Sequence, residues 1–214
     1  EGCQSVVDGL VDSSGSSVTD TTRALFQIAE AYYRDALKME FDEDQRDKCK
    51  AMHGGAVSVW RSLAGLAESH GVDSELLAHT YYFSGHSNRK VEEYVAAAEC
   101  YQEVVERWPE YQYAGEAQYW VGSCLEAVSK ASGPNAAGTR LAAEEAYKTV
   151  ASRYPSCSVV GYAHLQLARM YAKAGRSEEA IERYKMCLSD VTLPYFIKKS
   201  VSKSLTGLLG QVQE

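Results

Sequence analysis

Proline is scarce in this chain, four residues in 214, and no uninterrupted apolar run reaches the roughly 18 residues of a membrane-crossing helix. The first absence argues against a disordered chain and the second against a transmembrane span. A basic excess is also missing: 22 Lys and Arg stand against 29 Asp and Glu, a net charge of −7. Neither a nucleic-acid backbone nor an anionic membrane is therefore an expected partner.

The motifs of chemistry are lacking too. His53, His70, His79, His86 and His164 form no HExxH, and no Cys-x2-Cys spacing accompanies them, so no metal ligands are assigned. Gly207-Leu-Leu-Gly210 lacks the Lys-Ser/Thr of a phosphate loop, and no GxSxG elbow occurs. The acidic run Phe41-Asp42-Glu43-Asp44 imitates a calcium loop, but Arg46 stands where a ligand belongs, so it reads as a solvated helix start. No catalytic residue or cofactor is assigned, and the chain is not read as an enzyme.

What is present is 45% apolar and 24% charged content, ordinary for a soluble globular chain able to bury a core. Residues 4–22, rich in Ser, Thr, Asp and Gly, read as a linker, so residues 1–21 are set apart as a flexible N-terminal tail. Beyond them apolar residues recur every three or four positions, which predicts helices over 22–38, 45–69, 73–87, 90–108, 113–131, 139–154, 158–174, 177–189 and 195–212. Turn signals separate them: Gly71 with Asp73 as a cap, Trp108-Pro109, Ser132-Gly133-Pro134-Asn135, Tyr154-Pro155, and Gly175 with Ser177 as a cap. Pro155 follows Pro109 by 46 positions, and each aromatic-Pro pair leads through a short loop into an Ala-rich helix start. Helices recurring in this way predict a solenoid.

The last pair is the cleanest: His164-x2-Leu167-Ala168-x2-Tyr171, then Ala180-x3-Tyr184, Cys187 and Pro194. It resembles the tetratricopeptide repeat, in which small residues stand where paired helices cross and large ones fill the flanks. Val121-Gly122-x2-Leu125 with Ala143-x3-Tyr147, Leu77-Ala78-x2-Tyr81 with Ala97-x3-Tyr101, and Ile28-Ala29-x2-Tyr32 with Ala56-x3-Trp60 are similar. The WP and YP turns also look like those of bacterial envelope proteins of this type, the outer-membrane-assembly lipoproteins and the Tol-Pal coordinator. The resemblance implies an all-α fold, a right-handed α-solenoid of four helix pairs at about 22–69, 73–109, 113–155 and 160–194. Residues 195–214 add a capping or docking helix whose apolar stripe is Phe196, Ile197, Val201, Leu205, Leu208 and Val212.

Positions that this family uses for ligand contact map to Phe26, Glu30, Tyr33 and Arg34, and to Glu75, His79, Tyr82 and Phe83. Further along they map to Glu116, Tyr119 and Ser123, and to Tyr162, Leu165, Arg169 and Lys173. They imply an aromatic, mixed-charge groove for a peptide or partner helix. The Lys and Asn set with which some family members clamp a peptide carboxylate is absent. Six cysteines leave two readings open. Cys124 and Cys187 sit where the repeat has Ala, as small buried groups would. Alternatively, antiparallel pairing would bring Cys100 level with Cys124 and Cys157 near Cys187, leaving Cys3 and Cys49 for each other or another subunit, in an oxidising, extracytoplasmic compartment. Two functions follow: a non-enzymatic scaffold that binds a protein segment, or a subunit that assembles head to tail into a filament through its tail and terminal helices.

Overall fold

A computed structural model describes residues 18–71, 74–133 and 136–212, so Cys3, most of the expected tail, Asp73 and Pro134-Asn135 lie outside the described residues. The chain divides into two compact units between Tyr111 and Gln112. The first holds α1 (Val18–Met39), a 3-10 turn (Glu43–Gln45), α2 (Arg46–Ser69), α3 (Ser74–Lys90) and α4 (Tyr94–Arg107). The second holds α5 (Ala114–Ala131), α6 (Ala137–Arg153), α7 (Val160–Lys173), α8 (Ser177–Ser189) and α9 (Tyr195–Val212). Within each unit every helix packs on the one before it, and the described residues contain no strand. The fold class is that of an all-α solenoid.

Small residues set where the paired helices cross. In the first unit Leu25, Ala29, Ala56, Val59, Trp60 and Leu63 form one buried cluster, with Ala29 and Ala56 fully enclosed. In the second, Ala163, Ala168 and Ala180 let Tyr147, Tyr171 and Tyr184 fill the space beside them. The closest approaches are made by glycine. A Cβ on Gly85 would stand 2.7 Å from Cε1 of buried Tyr101, and one on Gly122 2.8 Å from Cε1 of buried Tyr147. Each ring lies flat on the neighbouring helix because nothing else would fit there.

The two aromatic-Pro junctions are built alike. Trp108 N–H donates to Val104 O and Tyr154 N–H to Val150 O, each at 3.0 Å. Three residues further on, Tyr111 N–H returns to Trp108 O at 2.9 Å and Cys157 N–H to Tyr154 O at 3.0 Å. Proline cannot prolong the helix, so the chain turns and restarts.

Other boundaries differ from expectation. α1 begins at Val18 rather than 22, with Asp20 favourably placed in its first turn and Thr21 and Thr22 buried. Ser177 is the first helical residue of α8, and the capping position is Arg176, with no side-chain cap. α3 runs to Lys90 and α4 starts at Tyr94. Between them Glu92 takes φ +68°, the left-handed conformation, and Glu93 N–H reaches back to Asn88 O at 2.9 Å. Gly175, φ +73°, ends α7 with the matching bond, Arg176 N–H to Tyr171 O at 2.9 Å. This αL helix ending favours glycine, and Glu92 bears the strain of a side chain there. Glu92→Gly is therefore expected to raise the stability of the first unit by about 0.5–1 kcal/mol, the half-exposed Lys50–Glu92 pair offsetting little of it. A lowered urea midpoint would contradict that reading.

Candidate partner-binding face

In the first unit α1 supplies Phe26 and Tyr33 two turns apart, and α3 supplies His79, Phe83 and His86 on one stripe. The rings form a connected set: Phe26 meets Trp60 edge to face at 5.5 Å, Tyr33 meets Phe83 edge to face at 5.3 Å, and His79 lies tilted against Phe83 at 5.0 Å. Trp60 stacks beneath Phe83 at 6.1 Å. Phe26, Tyr33, His79 and Phe83 are each half-buried, their hidden sides anchored in the α1–α2–α3 core. Glu30 and Arg34 pair at 3.3 Å beside them, both more than half exposed, and Glu75 is exposed. The result is an aromatic surface with a charged border.

Burial sets the electrostatics of this surface. It holds the Tyr33 hydroxyl above its ordinary range and lowers His79. His86 is pushed down to about 3, by burial first and then by Arg89 and His53. His53, enclosed below Tyr33, is lowered by burial and by Arg89. The imidazoles are therefore neutral at pH 7 and can face apolar groups without a desolvated charge. Tyr111 and His79 Nδ1 share a 2.5 Å hydrogen bond. Sequence pattern places Tyr111 only in a turn and gives no sign of His86, because both join the surface through tertiary contact.

In the second unit Ser123 on α5 and Tyr162 on α7 are half-buried, while Arg169 and Lys173 on α7 are exposed. Glu116 accepts a 2.7 Å hydrogen bond from the Ser158 hydroxyl. Tyr82, Tyr119 and Leu165 differ from the expectation of contact: their exposures are 5%, 8% and 6%. Tyr82 packs on His86 and Tyr101, and Tyr119 on Trp120 and Tyr147, because these positions point sideways into neighbouring helices instead of outward. They are core residues.

A basic residue staples each unit. The Arg107 guanidinium donates to Glu68 at 2.6 Å and lies 4.4 Å over the Trp108 ring, while the Tyr81 hydroxyl donates to the same carboxylate at 2.8 Å. Arg107 holds the Glu68 carboxyl below the usual range, and burial first, then Glu68, pushes Tyr81 up to about 12. In the second unit Arg176 bonds both carboxylate oxygens of Glu144 at 3.0 Å, pairs with Glu179 and sits 4.0 Å over Tyr171. These contacts hold the helices in register.

Of the two readings of the cysteines, the disulfide one gains no support: among the described residues no disulfide joins Cys49, Cys100, Cys124, Cys157 or Cys187. Cys187 Sγ donates to Gly161 O at 3.6 Å, whereas Cys157 packs toward Gly115 of α5, so the two face different helices. Cys100 Sγ turns to the Ser84 hydroxyl at 3.5 Å, and Cys49 Sγ to Ala36 O at 3.3 Å. Cys124 and Cys187 are buried at positions where the repeat carries alanine.

No helix among the described residues is long and apolar enough to cross a membrane. Residues 162–191, covering most of α7, all of α8 and the start of the following turn, match a tetratricopeptide repeat family model. No curated protein matches the sequence. A similar solved structure is the crystal structure of BtubC (BKLC) from P. vanneervenii, at 13% identity and a TM-score of 0.53 over 92% of this chain and 85% of that one. At this identity the likeness is one of fold. The matches support the tetratricopeptide family, and the narrower likeness to envelope proteins gains nothing from them.

Proposed function

We propose that this chain is a non-enzymatic scaffold whose first unit holds a peptide or partner helix against Phe26, Tyr33, His79 and Phe83. The observation that carries the reading is the chain of half-buried rings on α1 and α3, neutral at pH 7 and bordered by Glu30, Arg34 and Glu75. Rigid aromatic rings bury large area at low entropic cost, and anchors of this kind dominate binding energies. The tetratricopeptide match supports a protein partner, since such repeats commonly serve as interaction modules. Arg169, Lys173, Tyr162 and Glu116 would form a separate candidate contact face on the second unit.

A photo-crosslinking residue at Arg34 or Glu75 is expected to trap a discrete partner from native extract, and Tyr33→Ala with Phe83→Ala to weaken that capture at least about tenfold. Capture unchanged by those substitutions, and by charge reversal at Arg34, Glu116 and Arg169, would overturn the groove. Circular dichroism on the same variants separates loss of binding from loss of fold.

A further inference from the structure

α9 carries no acidic residue. Ile197, Val201, Leu205 and Leu208 pack it onto the α7–α8 core, which leaves a second face turned to solvent. That face presents Tyr195 and Phe196, 80% and 72% exposed, with Lys199 and Lys203. Lys198, Lys199 and Lys203 enter no ion pair among the described residues. In a chain of net charge −7 this is a locally uncompensated basic face carrying two large exposed rings. Paired exposed aromatics point to a contact surface, and the lysines beside them give it a sign of charge to match.

The complementary surface lies on the same chain. Glu40, Asp42, Glu43 and Asp44 crowd the α1–α2 connector around Phe41, which is 95% exposed. Asp42 serves the local turn, accepting from Asp44 N–H at 3.1 Å, while Glu43 and Asp44 form no ion pair among the described residues. Below the connector opens a cavity of about 430 Å³ that reaches Met39 and His53. Its two lysines are already engaged, Lys90 with Glu40 and Lys50 with Glu92, so neither compensates Glu43 or Asp44. Arg46, also on the cavity wall, is the one cation there outside such a pair among the described residues. The cavity has room for an aromatic side chain.

We propose that the Tyr195–Lys203 face of α9 docks on the α1–α2 connector of a second copy, lysines against Glu43 and Asp44 and an α9 ring entering the cavity beside Phe41. A contact of this kind joins two different patches, so it is heterologous and propagates unless a ring closes. It is independent of the groove: either can stand without the other. Attraction between solvent-facing charges makes the association weak and salt-sensitive.

The test is sedimentation equilibrium of the full chain, with charge reversals on each side. Wild type should associate with rising concentration in about 0.02 M salt and separate in about 0.5 M salt. Lys199→Glu with Lys203→Glu, and separately Glu43→Lys with Asp44→Lys, should each weaken association at least about tenfold. Mixing the two variants should restore a heterocomplex, which no unfolding artefact could produce. Arg46→Ala should tighten the wild-type contact. A chain monomeric at every concentration overturns the proposal, as does association indifferent to salt and to both reversals. Flotation with phosphatidylserine vesicles in the absence of self-association would reassign the face to an anionic membrane and overturn it as well.

Discussion

Lowering the pH from 7 to 5 is expected to cost the first unit about 2 kcal/mol of stability, carried mainly by His86. The cause is the set of histidines under the aromatic surface. His53, His79 and His86 are all lowered by burial, His86 to about 3. Above an unfolded-state value near 6.5 both states hold neutral imidazole and nothing is lost. Below it the unfolded chain binds protons that the native chain refuses, so stability falls as pH falls, by about 1.4 kcal/mol per pH unit for a group as depressed as His86. Arg89 acts in the same direction on His53 and His86. Glu68, lowered by its hydrogen bond from Arg107, withdraws its contribution only near and below about pH 4.5, outside this window. Urea unfolding of a Trp120→Phe variant, followed through Trp60 and Trp108, reads the first unit alone. A midpoint that is flat between pH 7 and 5 would defeat the prediction, and His86→Phe should make the slope shallower.

Gly122→Ala should destabilise the second unit by about 2 kcal/mol, against the usual direction of that substitution. In an unobstructed helix, replacing Gly by Ala gains up to about 1 kcal/mol. At Gly122 the new methyl would meet three atoms of the Tyr147 ring at 2.8–3.0 Å, and that ring is fully buried with nowhere to retreat. A methyl added at Gly207, in α9, would find no atom within 4 Å, so Gly207→Ala serves as the stabilising control. Tyr147→Leu costs stability by itself, yet combined with Gly122→Ala it should recover about 1 kcal/mol relative to the sum of the single effects. If Gly122→Ala raises the melting temperature, the close contact does not exist. Gly85 and Tyr101 should repeat the result in the first unit.

Much of the fold is legible in the periodicity, and the departures from it have identifiable causes. Ala168, Ala180, Tyr171 and Tyr184 stand as their sizes imply, because a helix crossing tolerates only a small residue. The break between α3 and α4 falls later than the pattern suggests, since Glu92 adopts a glycine conformation without being glycine. The start of α1 is hidden because Thr21 and Thr22, polar in composition, are buried by the fold. Phe26, Tyr33, His79 and Phe83 are partly exposed, as their repeat positions imply. Tyr82, Tyr119 and Leu165 are not, because spacing within one helix cannot distinguish a groove from the flank of the next helix. The Cys157–Cys187 pairing fails on side-chain direction, which helix register alone leaves undetermined.

The arginine staples carry a consequence for how the units come together in time. Most contacts here join neighbouring helices, a topology that folds quickly because little chain must be ordered before a contact forms. Arg107 and Arg176 are different: they reach carboxylates 39 and 32 positions away, and each also rests on an aromatic ring. Neither of these two ion pairs exists in a lone hairpin. Each guanidinium therefore locks in after its flanking helices have docked and is freed when they part. Substitutions at Arg107 and Arg176 should accordingly quicken unfolding while leaving the folding rate nearly untouched.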